Sequence, residues 1–126
     1  ADTITLKLFN DVAEEVTFTV DIQELEFRMS RAKSGLVDFD PSHTFVNDTT
    51  SPIHGGAKNI SLRILVDTCS IEVFGNGGKF TMTNLVFPQE PYRHIRFYSK
   101  GGSFRIDSIR LNSIEIDKNS RNYENK

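Results

Sequence analysis

Alternation with period two runs through nearly all of this chain, and it is the feature that most limits what the chain can become. Ile4, Leu6 and Leu8 alternate with Thr and Lys; Val16, Phe18, Val20 and Ile22 alternate with Thr17, Thr19 and Asp21; Leu25, Phe27 and Met29 follow in the same style. No long stretch places apolar residues at i, i+3, i+4 and i+7, so the chain reads as all-β. Residues 30 to 58 break the rhythm with Ser, Gly, Pro, Asn, Asp and His, and read as a long loop with at most a short strand around Val37 and Phe39. Strand patterns resume at Ile60 to Asp67, Ser70 to Phe74, Lys79 to Thr83, His94 to Ser99, Phe104 to Asp107 and Ile109 to Ile116. The polar tail 117–126, with Tyr123 its only aromatic, reads as a frayed appendage to a domain over residues 1–116.

Strands of this kind carry one apolar face each and have no helices to cover it, so they must close on a second sheet. The expected fold is a two-sheet antiparallel β-sandwich of jelly-roll or concanavalin-like type, with an open barrel as runner-up. The length of 126 residues suits one domain, and on area scaling such a chain buries roughly two thirds of its unfolded surface. Of ten Phe, Phe18, Phe27, Phe80, Phe97 and Phe104 fall on alternating positions and are assigned to the inter-sheet core.

Two hairpins constrain each other in the middle of the chain. Asn76-Gly77 is a strong type I′ signal because both central residues of that turn need positive φ. With those two central, Val73 lies opposite Phe80 and Ile71 opposite Met82. A turn at Thr68-Cys69 sets Val66 opposite Ile71 and Ile64 opposite Val73, although Thr-Cys is poor type I′ chemistry and a bulged turn is the alternative. One face of this meander is then apolar, and the other carries Arg63, Leu65, Asp67, Ser70, Glu72, Phe74, Lys79 and Thr81.

Charge and composition exclude several functions. Fifteen basic against seventeen acidic residues leave no basic footprint for nucleic acid or an anionic membrane. No apolar run approaches the ~18 residues of a membrane span. The single Cys69 allows no internal disulfide, and one Cys with His43, His54 and His94 scattered makes no zinc pattern. Asp38 and Asp40, near Asp48, are set aside as a Ca²⁺ set, since such a site gathers about six to eight oxygens. Asp67 and Glu72 could be an acidic catalytic pair, but Arg63 and Lys79 on the same face make ordinary cross-strand ion pairs the favoured reading. Cys69 has no activating neighbour in sequence. The sequons Asn47-Asp48-Thr49 and Asn59-Ile60-Ser61 decide nothing, and Gly75-Asn76-Gly77-Gly78 is a turn and not a phosphate loop. No catalytic, cofactor or metal residue is assigned.

The run from Arg63 to Phe74, Arg-Ile-Leu-Val-Asp-Thr-Cys-Ser-Ile-Glu-Val-Phe, followed by Asn76, Gly78 and Phe87-Pro88, resembles the C-terminal β-sandwich of glycoside hydrolase family 32, the family of invertases, levanases and inulinases. Ser30-Arg31-Ala32-Lys33-Ser34-Gly35 resembles the family's Asp-Arg-x-x-Ser-Gly segment with Ser30 in place of Asp. Phe97-Tyr98-Ser99 with Gly101-Gly102 matches a family strand and turn. The resemblance covers about Val16 to Ile116. Its motif residues here are Arg63, Asp67, Ser70, Glu72, Phe74, Asn76 and Gly78, with a structural role.

The resemblance implies a partner in the same polypeptide, an N-terminal five-bladed β-propeller that carries catalysis in Asn-Asp-Pro-Asn-Gly, Arg-Asp-Pro and Glu-Cys motifs. None of these occurs in the 126 residues. Retaining hydrolysis needs two carboxyl groups held about 5 Å apart across the scissile bond, so the chain alone is expected to be inert. It is read as an accessory module supporting the propeller, with Leu65 and Phe74 as the expected interdomain contact. The alternative is a fructan-binding module, for which Tyr92, Tyr98, Tyr123 and some Phe are the candidate platforms. With no Trp in the chain, structural support ranks above sugar capture. A parent acting on polymeric fructan is expected to be extracellular or periplasmic, since such polymers do not cross membranes.

Overall fold

The computed structural model describes residues 2–35, 48–55 and 59–106, with the backbone of Glu115–Ile116. The strands are β1 (Thr3–Phe9), β2 (Glu15–Asp21), β3 (Glu26–Lys33), β4 (Thr49–Pro52), β5 (Leu62–Val66), β6 (Ser70–Gly75), β7 (Phe80–Leu85), β8 (His94–Lys100) and β9 (Glu115–Ile116). They form a six-stranded sheet in the order β4-β3-β2-β1-β8-β9 and a three-stranded sheet β5-β6-β7. Pairing is antiparallel apart from the two-residue β9, which joins β8 in parallel.

The alternation does what it requires. Leu8, Val16, Phe18, Val20, Phe27 and Met29 point inward from the larger sheet and meet Ile71, Val73, Phe80 and Met82 of the smaller one. An aromatic line crosses the sandwich: Phe18 lies 6.1 Å from Phe27, and Phe27 lies 5.5 Å from Phe80, centroid to centroid. The chain is an all-β sandwich, as the periodicity requires. Phe97, opposite Leu6 on the inner face, packs half-buried against the core, whereas Phe104 sits half-buried outside any described strand and is not part of it.

The hairpin registers divide. β5 and β6 pair with Val66 opposite Ile71 and Ile64 opposite Val73, as expected. The connecting turn closes with Asp67 N donating to Ser70 O at 2.8 Å, and neither Thr68 nor Cys69 has positive φ, so it is not type I′. Between β6 and β7, however, Val73 faces Met82 and Gly75 faces Phe80, a slip of two residues from the expected register. The type I′ geometry survives, with Asn76 at φ 50°, Gly77 at φ 70° and Gly78 N bonded to Gly75 O at 3.0 Å. Gly78 and Lys79 lengthen the loop to four residues. The cause is packing: a Cβ on Gly75 would lie 2.0 Å from Phe80 Cζ, so the ring occupies the space that this glycine leaves. A slip of two preserves the inside and outside of every side chain, which is why the faces were legible and the register was not.

Two other expectations are corrected. Leu25 is exposed in a turn with φ 51° and does not begin a strand. Part of the stretch read as loop is β4, whose Thr-Thr-Ser-Pro sequence has no apolar alternation because it forms an edge; Pro52, which lacks an N–H, is tolerated there. Val37, Phe39, Asp38, Asp40, His43, Asn47, the tail 117–126 and most of the strand expected at Ile109 to Ile116 lie outside the described residues.

Candidate functional site

The outer face of the three-stranded sheet gathers most of the motif residues. Register places Arg63, Phe74 and Thr81 in one row, Leu65, Glu72 and Thr83 in the next, and Ser70 beside Leu85 in a third, near Asp67. Phe74 is half-buried on this face, while Leu65 is 43% and Leu85 55% exposed. Leu85 escaped the sequence reading because β7 was ended at Thr83; continuing the alternation Thr81, Thr83, Leu85 would have found it. Leu65, Phe74 and Leu85 thus neighbour Glu72 on three sides, with Arg63, Asp67 and Thr residues around them.

The ion pairs expected on this face do not form among the described residues. The pairs present are Lys7–Glu15, Arg28–Asp21, Arg28–Glu26 and His94–Asp11. Asp67 instead accepts the Thr68 N–H at 2.8 Å, capping its own turn. Lys79 lies at the hairpin tip, where its Cδ approaches Gly55. Cys69 is an exposed free thiol whose carbonyl accepts from Val86 N. No cluster of three or more His, Cys, Asp or Glu able to hold a metal occurs among the described residues.

Asn76 has a mechanical role that spacing alone did not show. Its N–H donates to Ser61 O at 2.8 Å, its Oδ1 accepts Ser61 N–H at 3.1 Å, and its Nδ2 donates to His54 O at 2.9 Å. One side chain thus ties the hairpin tip to two preceding segments.

A second group of motif residues meets where the end of β3 approaches the segment that follows β7. Arg31, near the end of β3, donates through Nη1 to Leu85 O at 2.9 Å and so links the two sheets. Ser34 is fully buried, and its Oγ donates to Arg31 O at 2.7 Å. The Gly35 backbone presses on Phe87-Pro88: a Cβ there would lie 2.2 Å from Phe87 O. Tyr92 donates its hydroxyl to Ser34 O and is only 3% exposed, which removes it as a sugar platform. Burial first, and the nearby Glu14 charge second, push that hydroxyl far above its ordinary pKa.

Glu14 completes this junction, and nothing in the sequence pattern pointed to it. It is 8% exposed, a buried carboxylate satisfied by Asn10 Nδ2 at 2.9 Å, Gln89 N at 2.7 Å and Gln89 Nε2 at 3.4 Å. Asn10 Nδ2 also donates to Glu90 O at 2.9 Å, while its Oδ1 accepts Val12 N and Glu14 N. Every group here is consumed in holding backbone segments together. The arrangement is a fastening and offers no reacting atom.

Comparison with known proteins agrees with this division. The family described as "Glycosyl hydrolases family 32 C terminal" matches residues 1–116. A levanase of Bacillus sp. (strain L7) is 33% identical over 87 residues, covering 69% of this chain and 9% of the levanase. The crystal structure of an exo-inulinase from Aspergillus awamori superposes with a TM-score of 0.71 at 31% identity, over 81% of this chain and 20% of the inulinase. A β-fructofuranosidase structure from Schwanniomyces occidentalis shares the fold alone, with a TM-score of 0.54 at 18% identity over 71% of this chain and 19% of that one. The chain therefore spans a tenth to a fifth of the length of these proteins.

Proposed function

The chain belongs to the family of C-terminal domains of family 32 glycosyl hydrolases, and from this we propose that it is the non-catalytic β-sandwich of a fructan- or sucrose-hydrolysing β-fructosidase, supporting a catalytic β-propeller in the same polypeptide. The observation that carries the reading is the coincidence of two facts. The chain matches only a small share of each hydrolase, and its motif residues are spent on turns, fastenings and one exposed face. Leu65, Phe74 and Leu85 on that face are the docking contacts, and Arg63, Asp67, Ser70 and Glu72 are its polar surroundings, as at interdomain interfaces generally. Asn76 and Gly78 hold the hairpin tip that frames it.

The test has two parts. The isolated chain should release no fructose from sucrose, inulin or levan, and hydrolysis would overturn the reading. In the polypeptide that joins the chain to its catalytic domain, Leu65→Asp with Leu85→Asp should lower the thermal midpoint of the whole, while the same pair leaves the isolated chain within about 0.5 kcal/mol of its starting stability.

A second reading, contact with fructan, is supported by Tyr98. This residue is 43% exposed and its register places it on the outer face of the larger sheet, the disposition a sugar platform needs.

A further inference from the structure

Along the outer face of the six-stranded sheet, β1 and β8 form a strip of three directly opposed pairs: Phe9 with His94, Lys7 with Arg96, and Thr5 with Tyr98. Two like charges opposite one another ordinarily destabilise a sheet. Here both cations lie over the ring of Phe9, Lys7 Nζ at 5.6 Å and Arg96 Cζ at 5.3 Å from its centroid, and that ring meets the His94 ring at 5.0 Å in a tilted arrangement. Lys7 pairs with Glu15 at 3.3 Å, and His94 Nε2 lies 2.7 Å from Asp11 Oδ1. The Lys7, Glu15 and His94 side chains are 26%, 23% and 21% exposed, so these groups are held in place with one edge open to water. A shallow depression lined by Lys7, Phe9, Asn10, Asp11, Ala13 and Glu15 opens at this end of the strip. Tyr98 stands at the other end. His94 and Tyr98 are four residues apart on one strand, ~13 Å, about the span of two or three sugar rings.

We propose that this strip is the contact site for a neutral oligosaccharide of fructosyl units, an inference that rests on the fructan-contact reading above. Tyr98 supplies an aromatic face for sugar C–H groups. The carboxylates of Glu15 and Asp11 accept from sugar hydroxyls, and Lys7 and Arg96 donate to them. Mutual pairing holds these groups in position before a ligand arrives, which lowers the ordering cost of binding. The same pairing argues for a neutral ligand, because an anion would have to displace Glu15 from Lys7.

Titration of the isotopically labelled 126-residue chain with short levan- and inulin-derived oligosaccharides, read by NMR and calorimetry, tests the proposal. The unaltered chain should bind saturably, Tyr98→Ala and Glu15→Gln should each weaken binding at least tenfold, and Lys79→Ala on the other sheet should not. If the unaltered chain binds no oligosaccharide, both the site and the fructan-contact reading fall. If it binds and both strip variants bind equally well, the site falls while that reading stands. Binding to polyglutamate without binding to fructan would assign the strip to an acidic partner and overturn the proposal. The amide spectra of the two variants report folding, and either folded variant suffices for the comparison.

Discussion

Gly75 and Phe80 face each other across β6 and β7, and the phenyl ring fills the volume a side chain on Gly75 would need. Gly75→Ala should therefore destabilise by roughly 1–3 kcal/mol through overpacking, and Phe80→Ala by roughly 3–5 kcal/mol through the cavity it leaves. The two effects should not add, because once the ring is gone the added methyl has room. Urea unfolding of both single variants and the double variant measures the coupling; additive losses would contradict the contact.

Gly35 offers no comparable relief. Its φ is +146° and the atoms a Cβ would strike are the backbone of Phe87 and Pro88, which cannot rotate aside as a side chain can. Gly35→Ala should cost at least as much as Gly75→Ala, about 1–3 kcal/mol or more. Its denaturation midpoint should stay low even when Phe87 is shortened to Ala, since the clash is with main chain.

Tyr92 makes stability fall in alkali. Its folded pKa is raised above the unfolded value of about 10, so the folded state holds the proton more tightly. The contribution is complete below pH 10 and is lost as pH rises from there toward the folded pKa. Tyr92→Phe should flatten this alkaline slope. It should also cost roughly 1–3 kcal/mol at neutral pH, because Ser34 O is left buried without its donor. Unfolding midpoints measured from pH 8 to pH 11 on both proteins separate the two effects.

Asn76 combines a φ of 50° with side-chain bonds to Ser61 and His54. Asn76→Gly removes the bonds and keeps the backbone geometry easy, whereas Asn76→Ala removes the bonds and adds left-handed strain. The expected losses are about 1 kcal/mol for glycine and about 1–2 kcal/mol more for alanine. Equal losses in thermal unfolding would mean that backbone conformation contributes nothing at this position.

How much of this was legible in the chain depends on the range of the interaction. Val16, Phe18 and Val20 announce their inward face by alternation alone, and alternation is local. The β6–β7 register depends on a ring reaching across to a glycine, a fact of shape that periodicity does not encode. β4 was missed because an edge strand of Thr, Ser and Pro has no apolar rhythm to read. The motif residues were found, but their roles were not. Asp67 reads as a surface polar group and Asn76 as a turn residue without its side-chain bonds to Ser61 and His54, while Glu14 has no local signal because its partners Gln89 and Tyr92 reach it only in three dimensions.

The central place of β1, between β2 and β8, sets an order of events at the ribosome. Its bonds to β2 close a turn of five residues, whereas Asn10 and Glu90 are 80 residues apart and Asp11 and His94 are 83. Synthesis runs from the N-terminus, so β1, β2 and β3 can pair while the rest of the chain is still being made. Until β8 emerges, that early sheet presents the other side of β1 as an open edge, alternating and apolar on one face, the type of edge that recruits foreign strands. The last described long strand to be synthesised is thus the one that shields the first.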